Sequence, residues 1–153
     1  MSLTPSYSER LGVPLRWWVQ GTMLVATFWL AVVVALPASA AWLVTAVALA
    51  LLVFPLLSYG SPRITVADGT FAAGRARIGA EHLGTVETLD AEETRRVAGV
   101  EADARAYLLM RPYLKRSVKV EITDPADPAP YWLVNTRHPE ELARALTALT
   151  HAR

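Results

Sequence analysis

The dominant pattern in the chain is an uncharged stretch from Trp17 to Pro62, which contains no Asp, Glu, Lys or Arg. It divides at Pro37-Ala38-Ser39-Ala40 into two apolar segments, at about residues 17–36 and 41–58. As helices rising about 1.5 Å per residue, they would be roughly 30 and 27 Å long, the thickness of a bilayer's hydrocarbon core. A soluble helix would show charges every three or four residues on its water-facing side. The pattern therefore predicts a transmembrane helical hairpin over residues 17–58.

The connection between the two segments is short and uncharged, with Pro37 as the helix breaker, which predicts two antiparallel neighbours. Membrane helices approach each other through small side chains. We therefore expect contact through the small residues of both segments, which are Gly21, Ala26, Ala31 and Ala35 in the first and Ala46, Ala48 and Ala50 in the second.

Ala38-Ser39-Ala40 also has the small-x-small pattern of a signal-peptidase site, after a basic start and an apolar run. The run is longer than the apolar region of a typical signal peptide, and a second span follows at once. A retained span is favoured, and cleavage after Ala40 stays open as the alternative.

The flanks of the apolar segments predict both anchoring and sidedness. Amphipathic rings and adjacent cations rest at headgroup level. The expected interface anchors are Arg16, Trp17, Trp18, Trp42, Tyr59 and Arg63. Because arginines precede the first segment and follow the second, and the connection has none, the positive-inside bias predicts an inner (cytoplasmic) membrane protein with both termini in the cytoplasm. Residues 1–16 are expected to form an unstructured cytoplasmic lead-in.

From Arg63 the apolar period changes to two, which predicts a small cytoplasmic domain over residues 63–150. Asp68-Gly69 is a hairpin turn dipeptide between two short strands. The expected strands are 63–66, 70–72, 75–78, 85–89, a buried strand at 107–110, and a hairpin over 117–136 with a proline-rich turn.

Two helices complete this domain. Asp90 to Glu93 is a capping box, and the helix it opens should end at Gly99 in a left-handed conformation. Pro139 opens the last helix, which His138 is expected to cap. Its apolar stripe should cover one open side of the sheet; the stripe consists of Leu142, Ala145, Leu146 and Leu149. The predicted fold class is α+β: a transmembrane hairpin followed by a mostly antiparallel β domain closed by a C-terminal helix.

Composition limits the remaining chemistry. A chain of 153 residues with 53% apolar and 19% charged side chains has room for one hairpin and one small domain. The net charge of +1 gives no reason to expect nucleic-acid binding. The absence of cysteine excludes disulfides, a thiolate nucleophile and a cysteine metal site.

Charge in the domain is segregated along the chain. Residues 80–103 hold seven acids against two arginines, whereas residues 104–120 hold five cations and no acid. The basic stretch is a candidate contact for anionic lipid or a protein partner, at about 1 kcal/mol per cation near an anionic membrane surface. Its candidate residues are Arg105, Arg111, Tyr113, Lys115, Arg116 and Lys119. The alternative is that the basic stretch pairs with the domain's own acidic half, residues 80–103, and with solvent.

Other candidate chemistry is sparse. Asp124 and Asp127 are more typical of Asx turns than of a calcium site, which needs six to eight oxygens. His82, His138 and His151 show no metal-ligand spacing, and no nucleophile elbow or glycine-rich phosphate loop is present. We therefore expect no enzyme, no metal and no cofactor.

A resemblance rests on two N-terminal spans, Gly74-Arg75-Ala76-Arg77-Ile78, Asp90 with its Glu-rich helix, and above all the run from Asp124 to Leu142. Over roughly residues 7–149 the chain resembles the small actinobacterial membrane proteins of domain-of-unknown-function family 3093. That family has no established activity, so the resemblance implies no catalytic residues. The order of spans, strands and closing helix is also similar in architecture to bacterial pleckstrin-homology-like membrane proteins.

These observations favour a membrane-anchored, non-catalytic binding or scaffolding module that engages a protein partner or anionic lipid at the cytoplasmic face. The first alternative is an accessory subunit of a larger membrane transporter or envelope complex. The second is an enzyme acting on a membrane-bound substrate. The oligomeric state is left open.

Overall fold

The computed structural model describes residues 6–152, which form two compact units. A helical unit spans residues 12–61. An α+β unit is made of residues 6–11 together with residues 62–152, so the helical unit is an insertion within it.

The helical unit contains α1 (Leu15–Ala35) and α2 (Ala38–Tyr59). With 21 and 22 residues, they are about 31 and 33 Å long. Leu36 is extended, with φ −125° and ψ 153°, because the residue before a proline is disfavoured in the helical conformation. Pro37 then occupies the N-cap position of α2, which confirms the predicted break. Ala38-Ser39-Ala40 forms the first turn of α2.

The contact between α1 and α2 differs from the predicted one. The buried side chains are Val32 on α1 and Ala41 and Thr45 on α2, and Gly21 faces Leu52. Of the small residues expected at the contact, Ala26, Ala31, Ala35, Ala46 and Ala50 are exposed, and only Gly21 and Ala48 are partly buried. A single helix pair buries one narrow stripe of each helix, and composition alone does not say on which stripe the small residues lie.

Most of the hairpin surface is apolar and open. In the most apolar 18-residue windows of α1 and α2, only 6% and 11% of the residues are buried. All but two of the large hydrophobic side chains that are exposed in the described residues belong to the hairpin; the two exceptions are Val100 and Leu108. The chain therefore contains two helices long and apolar enough to cross a membrane.

In the α+β unit, the first sheet, sheet A, has four antiparallel strands in sequence order. The strands are β1 (Tyr7–Arg10), β2 (Arg63–Ala67), β3 (Thr70–Ala73) and β4 (Ala76–Gly79). Asp68 and Gly69 join β2 to β3 with φ of 50° and 72°. Positive φ at both positions is the hairpin conformation that Asp-Gly favours, so the predicted turn is confirmed.

Strand β1 corrects the expectation of an unstructured lead-in. Tyr7 pairs with Val66 and Arg10 with Arg63, and the amide of Leu11 donates to the carbonyl of Pro62 at 3.0 Å. Tyr7, Glu9 and Leu11 are buried, whereas Ser8 and Arg10 are exposed. The charged residue at a core-facing position concealed this alternation.

The second sheet, sheet B, has the strand order β5-β7-β8-β6. Its strands are β5 (Leu83–Leu89), β6 (Tyr107–Leu109), β7 (Ser117–Ile122) and β8 (Tyr131–Asn135). The β7–β8 hairpin confirms the hairpin predicted over residues 117–136. The strand predicted as buried at 107–110 is instead an edge strand, parallel to β8, with Leu108 39% exposed.

Helix α3 (Ala91–Ala98) has the predicted capping box, since the Asp90 carboxylate accepts from the Glu92 and Glu93 amides and Glu93 reaches back to the Asp90 amide. Gly99 is not left-handed as predicted, because its φ is −112°. A Cβ at this position would lie 2.9 Å from the carbonyl oxygen of Arg95, so close approach explains the glycine.

Helix α4 (Pro139–His151) closes the unit. Leu142 and Leu146 are fully buried in a core shared by both sheets, and Ala145 and Leu149 pack against it, which confirms the predicted stripe. His138 occupies the N-cap position but makes no side-chain cap, so its predicted role was wrong. Its backbone amide instead donates a hydrogen bond to the Thr136 hydroxyl at 3.0 Å. This hydrogen bond stabilises the turn that precedes α4.

Candidate functional site

A buried polar cluster joins the first strand to the segment before α4. The Glu9 side chain is 8% exposed. Its carboxylate accepts hydrogen bonds from the Tyr7 hydroxyl at 2.7 Å, from the Thr136 hydroxyl, and from the Arg137 backbone amide at 3.0 Å. The Arg137 guanidinium lies 3.8 Å from the same carboxylate and donates to the Arg10 carbonyl at 3.1 Å. Residues some 130 positions apart are thereby fastened together.

The environment of this Glu9 cluster favours one protonation state of Tyr7. Burial, followed by the neighbouring Glu9 and Glu141 carboxylates, raises the pKa of Tyr7 well above its usual range, although the Thr136 hydroxyl acts in the opposite direction. Tyr7 is therefore a neutral donor at physiological pH. A carboxylate with several donors and a neutral phenol is a satisfied structural network.

A second buried side chain positions the loop that follows β6. The Asn135 side chain is fully buried. Its carbonyl oxygen accepts from the Arg111 backbone amide at 2.7 Å, and its amide group donates to the Arg116 carbonyl at 2.9 Å. Residues 111–116 are therefore held at both ends by one asparagine. Sequence reasoning singled out neither Glu9 nor Asn135, although Tyr7, Glu9 and Leu11 at every second position were a signal for β1.

The cations of the predicted basic stretch lie in different environments. Arg105 binds Asp103 at 3.3 Å, and its guanidinium holds the pKa of that carboxyl below the usual range. Arg116 pairs with Glu140, whose pKa is lowered by its own backbone amide and then by Arg116. Arg105 thus pairs with an acid of the acidic half, whereas the partner of Arg116 lies outside that stretch.

Lys119 lies on the outer face of sheet B. Its ammonium group is 4.8 Å from the centre of the Tyr131 ring, and its cross-strand neighbour on β5 is Glu87. These residues line a shallow groove of about 250 Å³ together with Thr85, Glu121 and Pro130. Lys119 therefore faces two acids of its own domain in this groove.

The remaining residues of the predicted contact lie in the loop held by Asn135. Tyr113 is partly buried, and its hydroxyl donates to the Leu11 carbonyl at 2.7 Å. The Arg111 guanidinium donates to the Met110 carbonyl at 2.8 Å. Lys115 is exposed. Whether this loop meets lipid or a partner stays a prediction.

Five of the six predicted interface anchors lie in or near the end turns of the two helices. Arg16, Trp17 and Trp18 lie in the first turn of α1, and Tyr59 is the last residue of α2. Trp42 is 64% exposed near the start of α2, and its ring centre is 6.1 Å from that of Trp29. Arg63 lies outside the helical unit, as the first residue of β2.

The aspartates of the proline-rich turn act as predicted. The Asp124 carboxylate accepts from the Ala126 amide at 2.8 Å, and that of Asp127 accepts from the Ala129 amide at 2.9 Å. These are Asx turns. Among residues 6–152 there is no group of three or more His, Cys, Asp or Glu side chains that could hold a metal ion.

The fold and these clusters define a small α+β protein that carries two exposed apolar helices between the first two strands of one sheet. Over residues 6–146 the chain matches the family described as protein of unknown function (DUF3093), and it belongs to that family. No curated protein and no solved structure matches the chain. The family resemblance expected from the residues is thus confirmed, and its description assigns no activity.

Proposed function

We propose that this protein is an integral membrane protein whose hairpin anchors a non-catalytic binding module. The observation that carries the proposal is the exposure of apolar side chains around α1 and α2, everywhere except the narrow stripe where the two helices touch. A soluble monomer rarely exposes a continuous apolar patch larger than a few hundred Å². Lipid is the solvent that such a surface requires, and both helices are long enough to span its hydrocarbon core.

The topology of sheet A supports two crossings. The hairpin is inserted between β1 and β2, which are hydrogen-bonded neighbours. The chain must therefore return to the side of the membrane from which it left. Cleavage after Ala40 would remove β1 and with it the buried Tyr7, Glu9 and Leu11, which supports a retained first span.

The charged flanks support a cytoplasmic position for the α+β unit. Arg10 precedes α1 and Arg16 lies in its first turn, Arg63 and Arg75 follow α2, and residues 17–62 carry no charge. The positive-inside bias then gives an inner-membrane protein with its N-terminus and its α+β unit in the cytoplasm.

A binding role suits the surfaces of the α+β unit better than catalysis. The buried polar side chains of Glu9, Thr136 and Asn135 are engaged in hydrogen bonds that join distant segments. The groove around Lys119 is shallow and charge-balanced. We propose that the unit engages a protein partner or anionic lipid, with the hairpin raising its local concentration at the membrane.

A second candidate function is that of an accessory subunit in a larger membrane complex. It is favoured by an apolar groove of about 310 Å³ on the hairpin, lined by Trp29, Trp42 and Thr45 among others. A partner's helix would fill this groove. Purification in mild detergent from native membranes would then yield a stoichiometric complex, whereas the first proposal expects the chain alone or with a weakly held partner.

Membrane fractionation with charge variants tests the anchor. The wild-type chain should stay in the membrane pellet after alkaline carbonate and be released by detergent. Leu24→Arg with Leu51→Arg places charges on the exposed middle of both helices, where each costs about 3 kcal/mol of insertion free energy. This variant should be lost from the pellet, whereas Leu15→Arg, at the start of α1, should stay. The membrane anchor would be refuted if the wild-type chain were soluble without detergent and the double variant were more soluble still.

A further inference from the structure

Three arginines meet at one end of sheet A. Arg10 is the last residue of β1 and lies directly opposite Arg63, the first residue of β2. Arg75 lies in the two-residue turn between β3 and β4, and the amide of its neighbour Gly74 donates to the Arg63 carbonyl at 2.9 Å. All three arginines are exposed. We call these three residues, with Arg77, the arginine end.

The surface next to these arginines is polar and flat. Arg77 is in register with Ala72, Ala72 with Thr65, and Thr65 with Ser8, so these four residues form one row on the outer face of sheet A. Thr65, Ala72 and Arg77 also line a shallow groove of about 290 Å³, together with Ala67, Asp68 and Thr70. Short side chains in this row leave room for a ligand to approach the strands beside the Arg77 guanidinium group.

The positive charge of the arginine end is not balanced within the described part of the chain. Among residues 6–152, no acid forms a salt bridge with Arg10, Arg63, Arg75 or Arg77. Asp68 lines the same groove as Arg77 but lies at the opposite end of the β2–β3 hairpin from Arg10, Arg63 and Arg75. Glu9 faces the core, where it is bound by Thr136 and Arg137. Arg10 and Arg63 are like charges in direct cross-strand register, an arrangement that destabilises a sheet. An anion at this end would relieve that repulsion.

The connection to the hairpin indicates which anion is available. The chain leaves sheet A after Leu11 and returns at Pro62, whose backbone groups are hydrogen-bonded to each other at this same end. Arg63 follows the last residue of α2 by four positions, and Arg10 precedes the first residue of α1 by five. A fully extended chain spans at most about 3.6 Å per residue, so their Cα atoms can lie no more than about 14 and 18 Å from the helix ends.

We propose that the arginine end binds the phosphate groups of anionic phospholipids in the membrane that holds the hairpin. Arginine suits this ligand because its planar guanidinium binds phosphate oxygens through two parallel hydrogen bonds. This inference rests on the proposed membrane anchor and names the lipid surface as the ligand of the module. It places the contact on sheet A instead of on the basic stretch predicted from the sequence.

Native mass spectrometry of the full chain tests the proposal, because it counts the lipid molecules that each chain retains. The protein in neutral detergent is mixed with equal amounts of phosphatidylglycerol and phosphatidylcholine of identical acyl chains. The wild type should retain phosphatidylglycerol in preference, and added salt should weaken that preference. The variant Arg10→Gln, Arg63→Gln, Arg75→Gln should bind phosphatidylglycerol roughly fivefold more weakly per arginine, or on the order of a hundredfold in total, with phosphatidylcholine unchanged.

A matched variant removes the same charge from the basic stretch: Arg105→Gln, Lys115→Gln, Lys119→Gln. It should keep the wild-type preference. Equal retention of both lipids by the wild type, equal losses in the two triple variants, or a loss only in the matched variant would each overturn the proposal. The proposal would also be overturned if excess inorganic phosphate displaced phosphatidylglycerol while chloride at equal ionic strength did not. The site would then be one for free phosphate.

If the first triple variant does not fold, Arg75→Gln with Arg77→Gln changes only a turn and an exposed edge-strand position, and a loss on the order of twentyfold is expected. The anchor and the lipid site fail separately. A chain that resists carbonate extraction but shows no preference for phosphatidylglycerol loses only the lipid site, whereas a chain that carbonate extracts loses the anchor.

Discussion

At the scale of single residues, Glu9 explains how the N-terminal strand is held. A buried carboxylate costs several kcal/mol of desolvation unless donors replace water. Here the donors are the Tyr7 hydroxyl, the Thr136 hydroxyl and the Arg137 amide, two of them from the far end of the sequence. The cluster therefore makes the placement of β1 depend on the segment that opens α4.

Replacing Glu9 with leucine should destabilise the α+β unit. The substitution removes the acceptor of two buried hydroxyls and of the part-buried Arg137 amide, and we expect a loss on the order of 3 kcal/mol in the free energy of unfolding. Urea denaturation of the full chain in detergent micelles measures this quantity. Glu101→Gln is the control, since it removes a salt bridge between exposed side chains, worth at most about 1 kcal/mol. Equal losses in the two variants would contradict a structural role for Glu9.

Tyr7 should make the unit sensitive to alkali. Its pKa is raised in the folded state, first by burial and then by Glu9, so its contribution to stability is complete below the ordinary tyrosine pKa of about 10 and declines as the pH rises above that value. The wild type should therefore lose more stability than Tyr7→Phe between about pH 10 and pH 11.5 in the same denaturation experiment. Parallel pH profiles would contradict this prediction.

Single-residue patterns predicted local contacts well and distant ones poorly. Asp90 with Glu93, Asp68 with Gly69, and the two Asx turns depend on neighbours within four positions, and the structure contains all of them. The partners of Glu9 and Asn135 lie far along the chain. The residues next to Glu9 in the sequence do not indicate that a hydroxyl and an amide from residues 136 and 137 will donate to it in the fold.

At the scale of elements, strands with apolar alternation were predictable, and those without it were not. Val118, Val120 and Ile122 of β7 point into the core, as their period of two indicates. In β1 the core-facing residues are a tyrosine and a glutamate, so the same period was hidden by polarity. The apolar residues at 107–109 suggested a buried strand, yet β6 lies at a sheet edge because only β8 pairs with it.

The contact between α1 and α2 can be tested by substituting one residue that lies at the contact and one that is exposed. Gly21 faces Leu52, so Gly21→Leu should force α1 and α2 apart, whereas Ala31 is exposed and Ala31→Leu should be tolerated. Overpacking of this kind costs roughly 1–3 kcal/mol. Thermal unfolding of the helical signal in detergent should show a lower midpoint for Gly21→Leu alone. A larger effect from Ala31→Leu would contradict this contact and support the one predicted from the small residues.

At the scale of the whole molecule, the insertion of the hairpin between β1 and β2 means that the proposed membrane topology and the fold depend on each other. With the hairpin in a membrane as proposed, the sheet forms only if both flanks of the hairpin are on one side of the bilayer. The sequence predicted the two spans because lipid requires helices without charges, a requirement that any short window reveals. It did not predict that residues 7–10 join the sheet, since that pairing spans the entire hairpin.

The double crossing can be measured directly by cysteine labelling, because the native chain has no cysteine. Ser39→Cys reports the connection between the helices, and Ala126→Cys reports an exposed turn of the α+β unit. With a membrane-impermeant maleimide, we expect the Ser39→Cys protein to be labelled in intact cells and the Ala126→Cys protein only after the membrane is disrupted. Labelling of Ala126→Cys in intact cells, or recovery of either variant in the soluble fraction, would contradict a hairpin that crosses the inner membrane from the cytoplasm and returns.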